Sequence, residues 1–142
     1  MAESLPDGVP SSRYEKGREK LAEIHGEQGE SAVAALGDVA PDLGRFIIEF
    51  GFADIYSRPG LDLKTRQLAT IAGLTTLGCA QPQLRSHVHG ALNVGCSPAE
   101  IVETITQMAL YGGFPAAMNA AMTARSVFEE RGLLPLSQDG ET

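Results

Sequence analysis

Residues 62–101, DLKTRQLATIAGLTTLGCAQPQLRSHVHGALNVGCSPAEI, contain three helix starts and two helix stops. Asp62 can accept a hydrogen bond from the first backbone N–H groups of a helix, and Gly78 can take the left-handed conformation that ends one. Between them Leu68, Ile71, Ala72 and Thr75 recur at the spacing of a helix with one buried face. Pro82 fits the first turn of a second helix, with Leu84, Val88, Ala91 and Leu92 inward and Gly95 as its stop. Ser97, Pro98 and Glu100 then have the form of a capping box with proline in the first turn, predicting a third helix that buries Ile101, Ile105, Met108 and Ala109.

The same reading extends outward. On the N-terminal side, Pro41 opens a helix whose Leu43, Phe46, Ile47 and Phe50 form a core stripe, and SRPGLD ends it. Ser12 with Glu15 suggests another capping box, starting a charged surface helix through about residue 25 that is anchored by Tyr14, Leu21 and Ile24. On the C-terminal side, YGGFP at 111–115 is a break, followed by a helix from Pro115 to about Glu130 with Ala116, Ala120, Ala124, Val127 and Phe128 inside. Met118 and Met122 fit a helix or subunit contact better than a cofactor site. No segment alternates apolar and polar residues over strand length, so the expected fold is all-α, about six helices in one domain over residues 11–131. Residues 1–10 and 132–142 are too polar and Gly/Pro-rich to offset the entropy of ordering, and are expected to be flexible.

Composition narrows the function classes. The 142 residues, 43% hydrophobic and 20% charged, suit one soluble globular domain. A formal charge of −7 opposes nucleic-acid binding, which needs a cationic surface. No apolar run is long enough to span a bilayer and the start MAESLPDGVPSS has no signal-peptide pattern, so a cytoplasmic protein without membrane attachment is expected. In that compartment two cysteines are expected to be thiols.

Cys79, His87, His89 and Cys96 lie close in sequence but diverge in geometry. The two histidines differ by about 200° around a helix, which opposes a shared metal ion. A helix of about 13 residues, near 20 Å long, would hold the cysteines at opposite ends, too far for a disulfide. Acid–base chemistry survives this test. His87 falls at the edge of the buried stripe and His89 on the other side, so His87 is either a half-buried proton donor or acceptor, or a hydrogen-bonded core histidine. Arg58, Lys64, Arg66 and Arg85 are the only cations between residues 46 and 124, and fit either a small-carboxylate site or a solvated face.

YSRPGLDLKTRQLATIAGLTTLG, QLRSHVHGALNVGCSPAEI and ALYGGFPAAMNAA together resemble the carboxymuconolactone decarboxylase family, within the AhpD-like all-helical superfamily, from about Tyr14 to Glu130. The peroxidase branch of that superfamily carries Cys-x-x-Cys-x-x-x-His. Here the two cysteine positions are Ala80 and Gln83, and only His87 matches. The resemblance therefore implies a cofactor-independent decarboxylase of the 4-carboxymuconolactone type, a carboxy-lyase of aromatic-compound catabolism acting on a small unsaturated acid or lactone. It implies His87 as proton donor or acceptor, and Arg58 and Arg66 as holders of substrate carboxylates. Phe50, Phe52, Tyr56 and Tyr111 would line a water-poor pocket. Two departures stand out. Gln83 replaces the family's usual Glu, and can orient His87 but not carry its charge; Phe52, Ala53, Asp54, Ile55 and Tyr56 replace a Trp-rich segment, making Phe52, Asp54 and Tyr56 candidate substrate contacts. The resemblance further implies a homo-oligomer, typically a trimer or hexamer, with no metal and no organic cofactor. Three alternatives remain at this stage: a decarboxylase, isomerase or cyclase of the same fold acting on a natural-product-like substrate; a thiol peroxidase using Cys79 or Cys96; and a non-catalytic assembly module.

Overall fold

The computed structural model describes residues 11–137, and every regular element among them is helical. In chain order these are α1 (Ser12–Ala34), α2 (Pro41–Phe46), a π-helical stretch (Ile47–Tyr56), α3 (Leu63–Leu77), α4 (Gln81–Asn93), α5 (Pro98–Gly112) and α6 (Phe114–Glu130). The all-α expectation thus holds, with six α-helices and no strand among the described residues. No helix there is long and apolar enough to cross a membrane. Of the ends expected to be flexible, 1–10 and 132–142, residues 1–10 and 138–142 lie outside the described residues. Contacts divide the chain into a first unit ending at Gly60 and a second beginning at Leu61.

In the first unit the cap of α1 is Ser11, one residue before the expected Ser12; its hydroxyl accepts from the Tyr14 N–H at 3.0 Å. Gly26, at φ 58° and ψ −152°, interrupts α1 close to the predicted helix end, in a region open essentially to glycine alone. Twelve residues of straight helix span about 18 Å. The Arg18 and Glu30 side chains nevertheless meet at 3.1 Å, so the chain doubles back at this glycine. Gly17 allows a second close approach, because a Cβ there would lie 2.1 Å from the Ile48 carbonyl oxygen. Leu21 and Ile24 are buried in this unit along with Ile48, Phe52 and Ala53.

The stripe expected along residues 43–50 is corrected by the structure. Leu43, Phe46 and Phe50 are 50%, 52% and 61% exposed, whereas Gly44, Ile48, Glu49, Phe52 and Ala53 are buried. Two causes act together. Gly44 turns inward in α2, where even a Cβ would come within 3.3 Å of the Val33 side chain. From Ile47 the backbone is π-helical, and its wider turn puts inward positions four and five residues apart instead of three and four. Glu49 is drawn inward by polar partners: the Ser11 hydroxyl donates to it at 3.0 Å, and Arg45 and Arg13 approach at 3.4 and 3.8 Å.

The second unit follows its sequence signals closely. Asp62 accepts from the Thr65 N–H at 2.8 Å to start α3, and Gly78 ends it at φ 73°. Pro82 sits in the first turn of α4, and the Ser97–Glu100 capping box opens α5. Ile71, Leu84, Val88, Ala91, Ile101, Ile105, Ala120, Ala124, Val127 and Phe128 close one core between α3, α4, α5 and α6. Its alanines let α6 pack closely. After α6, Leu134 and Leu136 pack against the same core.

Candidate functional site

The capped start of α3 sets a single inward face bearing Gln67, Ile71 and Thr75, one turn apart. The Pro82-initiated α4 packs against α3 and carries Val88 into the core, leaving His87 half-buried beside it. Across the two helices, His87 Nδ1 lies 3.0 Å from Gln67 Oε1. With the amide carbonyl on that nitrogen, Nδ1 must be the donor, so the neutral ring carries its lone pair on Nε2.

His89, two residues later, occupies the opposite environment. It is buried, and its Nδ1 accepts from Arg131 Nε at 3.1 Å. Arg131 also donates to the His89 carbonyl at 3.3 Å and to Asn93 Oδ1 at 2.7 Å. Glu130 lies 3.4 Å from His89 Nε2 and 2.7 Å from Arg85. Burial, followed by the nearby Arg131 and Arg85 charges, pushes the His89 pKa down, with Glu130 opposing. This histidine serves as a neutral bridge between α4 and the end of α6.

The sequence candidates distribute over both units. In the second, Gln83 is exposed one turn before His87, Arg66 is half-buried beside Gln67 on α3, and Tyr111 at the end of α5 is 74% exposed. In the first, Phe52 is buried, edge-on to His25 at 5.7 Å and tilted against Tyr56 at 5.3 Å. Asp54 is held by a two-pronged ion pair with Arg13, whose guanidinium keeps its carboxyl below the usual carboxylate range. Arg58 is exposed. The structure therefore brings His87 to Gln67, Phe52 to Tyr56 and Asp54 to Arg13. Gln67 is the partner that the sequence reading missed. Its signal was a polar residue four positions before Ile71 on an inward stripe, where polar side chains need a reason.

A cavity of about 420 Å³ in the first unit is lined by Tyr14, Arg18, Leu21, Val33 and Ile48, and one of about 240 Å³ in the second by Ile105, Phe128, Leu134 and Leu136. Among the described residues no three His, Cys, Asp or Glu side chains group as metal ligands. Cys79 is exposed ahead of α4 and Cys96 is buried after it, its thiol 3.6 Å from the Lys64 carbonyl. Burial pushes the Cys96 thiol up, the opposite of the activation that peroxide chemistry requires.

Residues 41–125 match the carboxymuconolactone decarboxylase family. The chain is 37% identical to the 4-carboxymuconolactone decarboxylase of Acinetobacter baylyi, over 87% of its length and 92% of the relative's. It is 42% identical to an uncharacterised 15.0 kDa protein of Paracoccus denitrificans, over 68% of its length and 72% of that protein's. A nitrosuccinic acid decarboxylase of Metarhizium robertsii is 33% identical over 59% of this chain and 58% of its own.

Proposed function

Because the chain belongs to the carboxymuconolactone decarboxylase family, we propose that it is a carboxy-lyase acting on a small activated carboxylic acid, with His87 handling the proton. The observation that carries the role of His87 is its hydrogen bond to Gln67, which gives a half-buried imidazole a defined proton-bearing nitrogen.

The compounds named in two relatives, 4-carboxymuconolactone and nitrosuccinic acid, share a chemical fragment. In each, one carbon carries a carboxyl group, a carboxymethyl arm and a group that can accept an electron pair: a conjugated lactone in the first, a nitro group in the second. We assign this chain a substrate of that class. On loss of CO₂ the broken C–C bond leaves its electron pair in the acceptor group, as a dienolate or a nitronate, and a proton must then reach carbon. That chemistry proceeds without a metal or organic cofactor. Protonated His87 supplies the proton from Nε2 and relaxes to the neutral Nδ1–H form that Gln67 accepts. Solvent restores the imidazolium.

Arg66, next to Gln67 in sequence, is assigned to a substrate carboxylate or the developing oxyanion, a role the family pattern gives to Arg58 as well. The same pattern assigns Gln83 to orienting His87, and Phe52, Asp54, Tyr56 and Tyr111 to substrate contact. The exposed apolar residues Leu43, Phe46 and Phe50 of the first unit, and Phe114, Met118 and Met122 of the second, support assembly into a homo-oligomer, for which the family pattern implies a trimer or hexamer. The test of the reaction is CO₂ release from 4-carboxymuconolactone and from nitrosuccinate. Wild-type protein is expected to turn over at least one of them and His87→Ala neither; unchanged turnover in the variant sinks the role of His87.

A further inference from the structure

We infer that Gln67 is a positioning residue that holds His87 as the Nδ1–H tautomer and thereby makes Nε2 the nitrogen that exchanges protons with substrate, an inference that rests on the role of His87 proposed above. Gln67 is 0% exposed on the inward face of α3, in line with Ile71 and Thr75. Its Nε2 is buried without a hydrogen-bond partner, an arrangement that costs stability. An unbranched apolar side chain of similar length would fill this position without that penalty, so packing does not explain the amide. The hydrogen bond to His87 does.

The chemistry of an amide suits the task. Its carbonyl accepts from N–H and holds no proton of its own, so Nδ1 stays protonated in both the neutral ring and the imidazolium. Only Nε2 then gains and loses a proton through the cycle. His89 supplies a contrast on the same helix: its Nδ1 accepts from Arg131, so its neutral ring must carry the proton on Nε2. Two histidines two residues apart on α4 thus hold opposite tautomers, one set by Gln67 on α3 and the other by Arg131, just past the end of α6.

The test is the ¹H–¹⁵N long-range spectrum of the histidine side chains of the full chain, at a pH where the rings are neutral, with His87 assigned from the spectrum of His87→Gln. Wild-type protein is expected to show His87 as Nδ1–H and His89 as Nε2–H. In Gln67→Met, His87 shifts to Nε2–H or a mixture. The kcat for CO₂ release falls roughly ten- to a hundredfold, with a smaller change in KM and an unchanged or higher Tm. Gln67→Glu, nearly the same shape, returns an acceptor to Nδ1 and recovers turnover, with the pH–rate profile moved upward by the added carboxylate. The inference is overturned if wild-type His87 is Nε2–H, if Gln67→Met leaves its tautomer unchanged, or if kcat is insensitive to Gln67→Met while His87→Ala abolishes it. Turnover that survives His87→Ala overturns the proposed reaction role instead, and the spectra still decide whether Gln67 sets the tautomer.

Discussion

His87 and His89 share one helix and two residues of sequence separation, yet one borders α3 and the other the end of α6. On the α3 side a half-buried ring meets a neutral amide that costs the core an unsatisfied donor. On the α6 side a buried ring is enclosed by Arg131, Arg85, Glu130 and Asn93, with its own Nδ1 and carbonyl both satisfied by one guanidinium. The first arrangement is poor for stability and well suited to exchanging a proton. The second is tied at Nδ1 and the carbonyl by Arg131 and holds a helix end in place, although its Nε2 is also buried without a hydrogen-bond partner. Residue type alone would have assigned both histidines the same role; their neighbours separate them.

The largest expected effect breaks the comparison on the α3 side. His87→Gln should lower kcat by roughly 10²–10⁴-fold, the usual contribution of a general acid or base, while the melting temperature changes little because the ring is half-buried. Arg131→Met should do the reverse. Removing its donors leaves the buried Nδ1 of His89 unsatisfied, costing about 1–3 kcal/mol measured by denaturant unfolding, with kcat retained. A variant of Arg131 that loses activity without losing stability would contradict the division of roles.

A pH series sharpens the same contrast. The His89 pKa is depressed in the folded chain, so the unfolded chain binds the proton first as pH falls. Its contribution to stability is complete above the ordinary value near 6.5 and is lost as pH falls from there through the folded value. Unfolding free energy should therefore decline with acidification over that window, and less steeply in His89→Gln. The smallest effect concerns the two ends of α4. Brief treatment of the native protein with an alkylating reagent should label exposed Cys79 and spare buried Cys96, with mass spectrometry as the readout.

How much was legible in the sequence follows from the same physics. In the second unit, Asp62, Gly78, Pro82, Ser97 and Glu100 act through local hydrogen bonds and backbone angles, so their positions predict the helices directly. In the first unit, the inward face of residues 41–56 depends on a π-helical backbone and on the pull of Ser11, Arg13 and Arg45 on Glu49, neither of which leaves a helical period in the sequence. The site shows the same limit. His87 could be found from its place at the edge of a stripe, whereas Gln67 stands twenty residues away and is joined to it only by the packing of α3 on α4. Gln83, the nearer glutamine, is on the exposed side of its helix turn.

The central claim is that His87 hands a proton to carbon in the dienolate or nitronate left by loss of CO₂. The most direct measurement is turnover of 4-carboxymuconolactone and of nitrosuccinate in D₂O, with CO₂ release and deuterium on product carbon, at either end of the dienolate or at the nitronate carbon, followed together for the wild type and His87→Gln. The wild type is expected to release CO₂ from at least one of them and to place one deuterium on carbon of the product, and His87→Gln to slow both by at least a hundredfold. Equal rates of CO₂ release and deuteration in the two proteins would contradict the account.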